Sequence, residues 1–294
     1  MDVETIVSLV FYGLLLGGIY ALLSVGLSLI YGILEIVNFA QGEFFMIGAF
    51  ICYFMITLFN THPILAIMVS ALVTFMAGAL MEKLVIFPLR KRGGRGWLMN
   101  VLVVTLGISL ILQNSALITC GAYHRGISYL WSTKTLDLLG IRCSVDRFII
   151  LLIAIATILV FYIFLHFTYT GKAIRATAQN KDAAMSVGIN INIMYTLACA
   201  LSTMLAGIAG AIMLPISTVY PTVGSSYILF CFIVIILGGL GRLDGTLLAS
   251  FIVGIIQSFS MYYFGMGWSY FFLFIFIGII LLIRPSGILG ERRY

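Results

Sequence analysis

Residues 6–34 carry no charged side chain. A stretch of about 20 apolar residues already suffices to cross the hydrocarbon of a bilayer as an α-helix. Residues 191–241 are also free of charge and are long enough for two such crossings. Over the whole chain 62% of residues are hydrophobic and 9% charged, with a mean hydropathy of +1.17. A water-soluble fold carries about 25% charged residues and cannot hide this much apolar surface, so lipid is the expected solvent. Only helices and closed barrels satisfy every backbone polar group in lipid, and runs of this length specify helices.

Walking the chain gives nine runs: 6–34, 44–59, 64–81, 98–119, 148–168, two within 191–241, 246–264 and 269–283. The expected fold is therefore all-α, a single 1–294 polytopic membrane helix bundle of about nine transmembrane helices, with eight as the alternative. The 42–59 run is the weak member and a candidate for a partly re-entrant segment, since irregular backbone at membrane depth survives only under protein cover or beside a wet cavity. Turn signals separate the runs: Asn60-Thr-His62-Pro63, the stretch Pro215 to Ser226 and Gly265-Met-Gly-Trp268. Residues 82–97, with Lys83, Arg90, Lys91, Arg92 and Arg95, read as a basic, Gly-rich loop. The start Met1-Asp-Val-Glu4 lacks the basic residues of a signal peptide, so the first run is expected to stay as a helix.

Charge sets the expected orientation. With nine spans, twelve of the sixteen basic residues fall on one side: those of 82–97, Lys172, Arg175, Lys181, Arg242, Arg284, Arg292 and Arg293. Arg125, Lys134, Arg142 and Arg147 fall on the other. The basic side is cytoplasmic by the positive-inside rule, which places the N-terminus outside and the C-terminus inside. The net charge of +6 is thus an orientation signal, and no basic–aromatic stripe points to nucleic acid. A weak parallel repeat is also visible. The segments 27–50 and 232–251 both pass from a run through a Gly-containing polar hinge into a second run.

Chemistry-bearing residues are few. Glu35, Asn38, Gln41 and Glu43 interrupt the first two runs. Two readings stay open for them: Asn38, Gln41 and Glu43 line or gate a pathway, or they cap helix ends at the cytoplasmic surface. Gln113, Asn114 and Gln257 are expected to hydrogen-bond between helices. Gly13, Gly17 and Gly18 in the first helix, with Gly207 and Gly210 in the sixth, are expected to allow close helix packing. His62, His124 and His166 lack partners at metal-ligand spacing, and no metal site is expected. The spacing of Cys120 and Cys143 leaves a disulfide open. There is no Gly-x4-Gly-Lys-[Ser/Thr] cradle; Gly171-Lys172 is followed by Ala. No cofactor and no enzymatic centre is expected in this chain.

The segment 169–190 stands apart. Ala173 to Val187 is rich in helix formers without Gly or Pro, and Gly188 is a suitable stop, so one short amphiphilic helix is expected there. Its Asp182-Ala183-Ala184-x-x-x-Gly188 resembles the acidic–Ala–Ala–x3–Gly motif of permeases in binding-protein-dependent ABC importers. Gly17-Gly-Ile-Tyr-Ala-Leu, Asn38-Phe-Ala-Gln-Gly-Glu43, Leu237-Gly-Gly-Leu-Gly-Arg-Leu-Asp-Gly-Thr and Arg284-Pro-Ser-Gly-Ile-Leu-Gly290 are similar to branched-chain amino-acid permeases over most of the chain. Asp182 stands where that motif usually has Glu, and Arg242 where the family usually has a small polar residue.

The resemblance implies a transport subunit for branched-chain or related amino acids that works by alternating access. It implies that Arg175, Asp182, Ala183, Ala184 and Gly188 couple to ATP-binding subunits, which hold the ATP. It further implies a second homologous permease and an extracytoplasmic substrate-binding protein, in a prokaryotic inner membrane. Similar permeases carry urea or short amides, which is the alternative cargo. An ion-coupled secondary carrier is the other rival, and the scarcity of acids within the runs argues against it.

Overall fold

The computed structural model describes residues 3–93, 96–127, 131, 135–138, 141–284 and 287–289. Each of the nine apolar runs is helical. They become α1 (Val3–Leu34), α2 (Gln41–Phe59), α3 (Pro63–Met81), α5 (Trp97–Cys120), α6 (Val145–Phe167), α9 (Ile191–Met213), α10 (Val223–Gly238) and the two halves of α11 (Leu243–Ile283). Seven described helices are long and apolar enough to cross a membrane; Val223–Gly238 and Gly267–Ile280 are shorter apolar helices. The polar connection after α5 contains an antiparallel pair, β1 (Thr135–Leu138) and β2 (Ile141–Ser144), which leaves the all-α class intact.

Two expectations need correction. Residues 82–97 are not simply a loop: the helix continues from α3 through a π turn (Glu82–Ile86) into α4 (Phe87–Arg92). Pro88 lacks the N–H of an ordinary helical turn, and the wider turn accommodates it. Glu82 also finds partners in Thr196 of α9 and Arg90 of α4 and so can be buried. Secondly, the segment expected as one helix is two, α7 (Tyr169–Gln179) and α8 (Lys181–Ser186). Asn180 takes extended backbone and its Oδ1 accepts from Ala183 N at 2.9 Å, so its side chain starts a new helix rather than continuing the old one. Gly188, at φ 85°, ends α8 as expected.

Helix directions follow from who touches whom. Ile255 of α11 faces Gly13 and Thr246, near the start of α11, meets Ser28, so α1 and the first half of α11 are antiparallel. Antiparallel packing of α3 and α4 on α9 follows from Thr203 against Thr74, Thr196 against Glu82 and Asn192 against Arg90. Gly265, at φ 76°, breaks α11, and Phe264 stacks on Phe272 at 3.7 Å as the chain turns back. These directions gather Arg90, Lys91, Arg92, Lys172, Lys181, Arg242 and Arg284 at one end, here the basic end, with Arg125 and Arg147 at the other. α1 and α10 run the same way, since Tyr20 stacks on Phe230 and Gly32 meets Gly241. Each ends in a hinge at the basic end, the layout that a parallel repeat requires.

The core is a seam around α1 and α9, whose helices are buried along most of their length. A Cβ at Gly13 would stand 2.6 Å from Ile255 Cα, and one at Gly17 2.9 Å from Phe251 Cα. Gly18 packs on Ala154 of α6, Gly207 on Thr74 of α3, and Gly210 on the backbone of Phe45 and Ala49 in α2. All five expected glycines therefore serve close packing within this subunit. Outside the seam, Leu72, Met76, Val103, Ile111, Leu159 and Val160 are exposed, as a lipid-facing exterior requires.

Candidate functional site: a polar junction and its lever

α1 stops because Glu35 turns left-handed, at φ 59°. The hinge 35–40 then dives inward, with Ile36, Asn38 and Ala40 buried. α2 consequently starts inside the bundle, level with the middle of its neighbours. Gln41 Nε2 donates to Ser202 O at 2.9 Å, halfway along α9, beside Gly26 of α1. The chain after α9 likewise folds back, and α10 starts where Gly224 meets the backbone of Gly42. The first turns of two helices thus abut inside the bundle, each presenting the positive end of a dipole, while Gln41 N and Glu43 N of α2 donate to Asn38 O and Ala40 O and Val223 N of α10 donates to Tyr220 O.

α5 lies against this junction through one polar stripe. Thr105 Oγ1 accepts from Phe39 N at 3.4 Å, Ser109 Oγ donates to Glu43 Oε1 at 2.9 Å, and Gln113 Nε2 donates to Ser225 Oγ at 3.0 Å. Spaced four residues apart, these three share one helix face. They touch in turn the hinge, the first turn of α2 and the first turn of α10. Asn38 is fully buried, as is Gln41, and Glu43 is 1% exposed. Asn38 Nδ2, Gln41 Oε1 and Glu43 Oε2 are buried without a hydrogen-bond partner. The capping alternative is partly met, since Asn38 Oδ1 accepts from Ala40 N. The expected surface placement is not: these residues sit within the bundle because the hinge folds inward.

A second polar cluster ties α3 and α4 to α9. Thr196 Oγ1 donates to Glu82 Oε2 at 2.7 Å, and Arg90 lies 3.4 Å from Glu82 Oε1. Arg90 also donates to Asn192 at 2.9 Å and lies over the Tyr195 ring at 4.2 Å. Asn190 caps the start of α9. The cluster therefore grips the turn of α9 that directly follows α8.

α8 reaches the junction by another route. Lys181 Nζ lies 3.3 Å from Glu35 Oε1, on the hinge itself. Of the sequence-expected coupling residues, Asp182, Ala183 and Gly188 are exposed, with Met185 and Val187 exposed beside them. Ala184 is buried at 3%, so it faces the bundle and the outward face of α8 is formed by its neighbours. Arg175 is half-buried and turns toward His166 O at 3.5 Å.

Other expectations separate cleanly. Gln113 bridges two helices, and Gln257 does so with Tyr20. Asn114 instead bonds Leu110 O in its own helix, because it faces outward. Cys120 is a free thiol, and the side chain of Cys143 lies outside the described residues. His62 caps α3, and no metal-holding group of His, Cys, Asp or Glu exists among the described residues. Sequence reasoning missed Thr105, Ser109, Ser202 and Ser225. The four-residue spacing of Thr105, Ser109 and Gln113 was the available signal.

Residues 9–283 match the family described as branched-chain amino acid transport system, permease component. The high-affinity branched-chain amino acid transport system permease protein BraD of Pseudomonas aeruginosa is 27% identical, covering 95% of this chain and 94% of that protein. The permease protein LivH of Escherichia coli is 26% identical over 96% and 94%. A probable branched-chain amino acid transport permease protein of Methanocaldococcus jannaschii is 30% identical over 92% and 88%. No solved structure matches the chain.

Proposed function

This chain belongs to the branched-chain amino acid transport permease family, a multi-pass membrane component of ABC importers, and on that premise we propose that it moves branched-chain or related hydrophobic amino acids into the cytoplasm by ATP-driven alternating access. ATP is bound and hydrolysed by partner subunits that dock on the exposed face of α8. A second homologous permease completes the passage, and an extracytoplasmic binding protein delivers the cargo. The protein lies in the inner membrane with its basic end in the cytoplasm, the N-terminus outside and the C-terminus inside.

The observation that carries this reading is the position of α8. It sits at the basic end and touches two parts of the bundle at once. Lys181 meets Glu35 on the hinge that leads to Glu43, and the chain after Gly188 enters α9 at the turn held by Arg90 and Asn192. A push on α8 is therefore delivered both to the junction and to the seam. The exposed Lys181–Glu35 pair adds little stability, so its value is positional.

A cysteine replacing Ala183 is expected to crosslink to the ATP-binding subunit in the assembled transporter. Leucine accumulation in proteoliposomes is expected to require that subunit and ATP. Accumulation by this polypeptide alone, without nucleotide, contradicts the reading.

A further inference from the structure

We propose that Glu43, where the first turns of α2 and α10 meet, binds the ammonium group of a zwitterionic amino-acid cargo, and that the first turn of α10 at Ser225 receives its carboxylate. The proposal rests on the reading of the chain as an amino-acid importer and names the site that the reading leaves open.

Glu43 is buried, yet no cation pairs with it among the described residues. Its Oε1 is held by the Ser109 hydroxyl and its Oε2 has no partner. A lone carboxylate at this depth is costly, and an arriving ammonium with three donors is the group that offsets that cost. Glu82 makes the contrast: the same residue type, equally buried, holds Arg90 and Thr196. Glu43 is built as half of an ion pair whose other half is absent from the described residues.

The complementary group lies beside it. α10 is sixteen residues long, and its N-cap residue Thr222 makes no side-chain capping bond. Ser225 is exposed in that first turn, and Gly224 packs on the backbone of Gly42, next to Glu43. Val223 N donates to Tyr220 O, and the positive start of the helix beyond it, at Ser225, attracts a carboxylate. Toward the basic end, Phe39, four residues before Glu43, and Phe232, two turns past Ser225 on α10, pack at 5.0 Å and offer an apolar wall for the cargo side chain. Access is through α5. Of its 24 residues only Val101 and Thr105 are buried, and Ser109 and Gln113 hold it over the junction. When α5 moves outward, the Ser109 hydroxyl leaves Glu43 and the cargo ammonium replaces it.

The test uses the complete transporter, with its permease pair, ATP-binding subunits and binding protein, in proteoliposomes supplied with labelled leucine. The readout is leucine accumulated per ATP hydrolysed. Glu43→Gln keeps the shape and removes the charge, and is expected to lower that ratio by about tenfold, on the scale of one charge-assisted hydrogen bond. Glu43→Asp, which keeps the charge, is expected to recover much of it. A Glu43→Gln transporter that matches wild type overturns the proposal. A wild-type transporter without ATP-dependent leucine uptake instead overturns the importer reading.

A second arm leaves Glu43 in place, in case its replacement prevents assembly. In a Cys120→Ser, Cys143→Ser background, Ser109→Cys is treated with a cationic and an anionic methanethiosulfonate. The cationic reagent is expected to react about tenfold faster, because the adjacent carboxylate attracts it, and leucine delivered by the binding protein is expected to slow it. No reaction, or equal rates for the two reagents, overturns the proposal.

Discussion

The seam of α1 and α9 and the outer helix α5 are comparably apolar, yet they are held in place by different means. In the seam, glycines remove side chains so that backbones touch, as at Gly13 on Ile255 and Gly17 on Phe251. Without a hydrophobic driving force between helices in lipid, such close van der Waals contact is what fixes a bundle. α5 makes no contact of this kind: nothing lies within 4 Å of a Cβ built at its Gly107. It is attached to the junction by Thr105, Ser109 and Gln113, hydrogen bonds that average about 0.6 kcal/mol each between membrane helices. The difference teaches that the seam is the rigid body of the molecule and α5 the wall that gives way.

That contrast predicts a graded series of failures. The largest is in the seam. Gly48→Leu and Gly210→Leu drive side chains into backbone, Gly48 into that of Gly207 and Gly210 into that of Phe45, and are expected to cost more than about 3 kcal/mol each. Yield and thermal melting of the purified transporter check this, with little folded protein as the outcome. Glu82→Gln comes next. It leaves Arg90 without its counter-charge and is expected to cost roughly 1–3 kcal/mol, read as a melting temperature lowered by several degrees, with leucine uptake reduced. Asn180→Ala removes the cap that separates α8 from α7, at a cost of about 1 kcal/mol. Melting is expected to stay near wild type, while leucine moved per ATP falls by less than about fivefold. Thr105→Val is smallest: it deletes one long hydrogen bond of the α5 stripe, and the melting temperature is expected to be unchanged within error.

Much of this contrast is legible in the sequence, for a physical reason. Helices in lipid must be long, apolar and internally hydrogen-bonded, so residues 6–34 and 191–241 announce themselves, and the breaks at Pro215 to Ser226 and Gly265 follow from backbone chemistry. The glycines of the seam are legible because small residues have one common use between membrane helices. The continuation of helix through Glu82 was hidden, since a local reading sees charge and proline but not Thr196 and Arg90 waiting across the interface. Asn180 was hidden because Asn sits in helices and caps alike, and only the fold of its backbone decides. The junction was half visible. Asn38, Gln41 and Glu43 stood out as polar residues between apolar runs, but their depth depends on the inward turn of 35–40 and on which helix faces them, neither of which has a local signature.

The most direct test of the division into seam and wall is a pair of distances measured by spin labelling in the assembled transporter. One pair is placed at Leu58 on α2 and Leu117 on α5, the other at Val7 on α1 and Tyr262 on α11, all exposed positions at the end away from the basic residues. When ATP is trapped in the partner subunits, the Leu58–Leu117 distribution is expected to shift by several ångströms while the Val7–Tyr262 distribution stays fixed. A fixed Leu58–Leu117 distance together with a shifting Val7–Tyr262 distance would contradict the account.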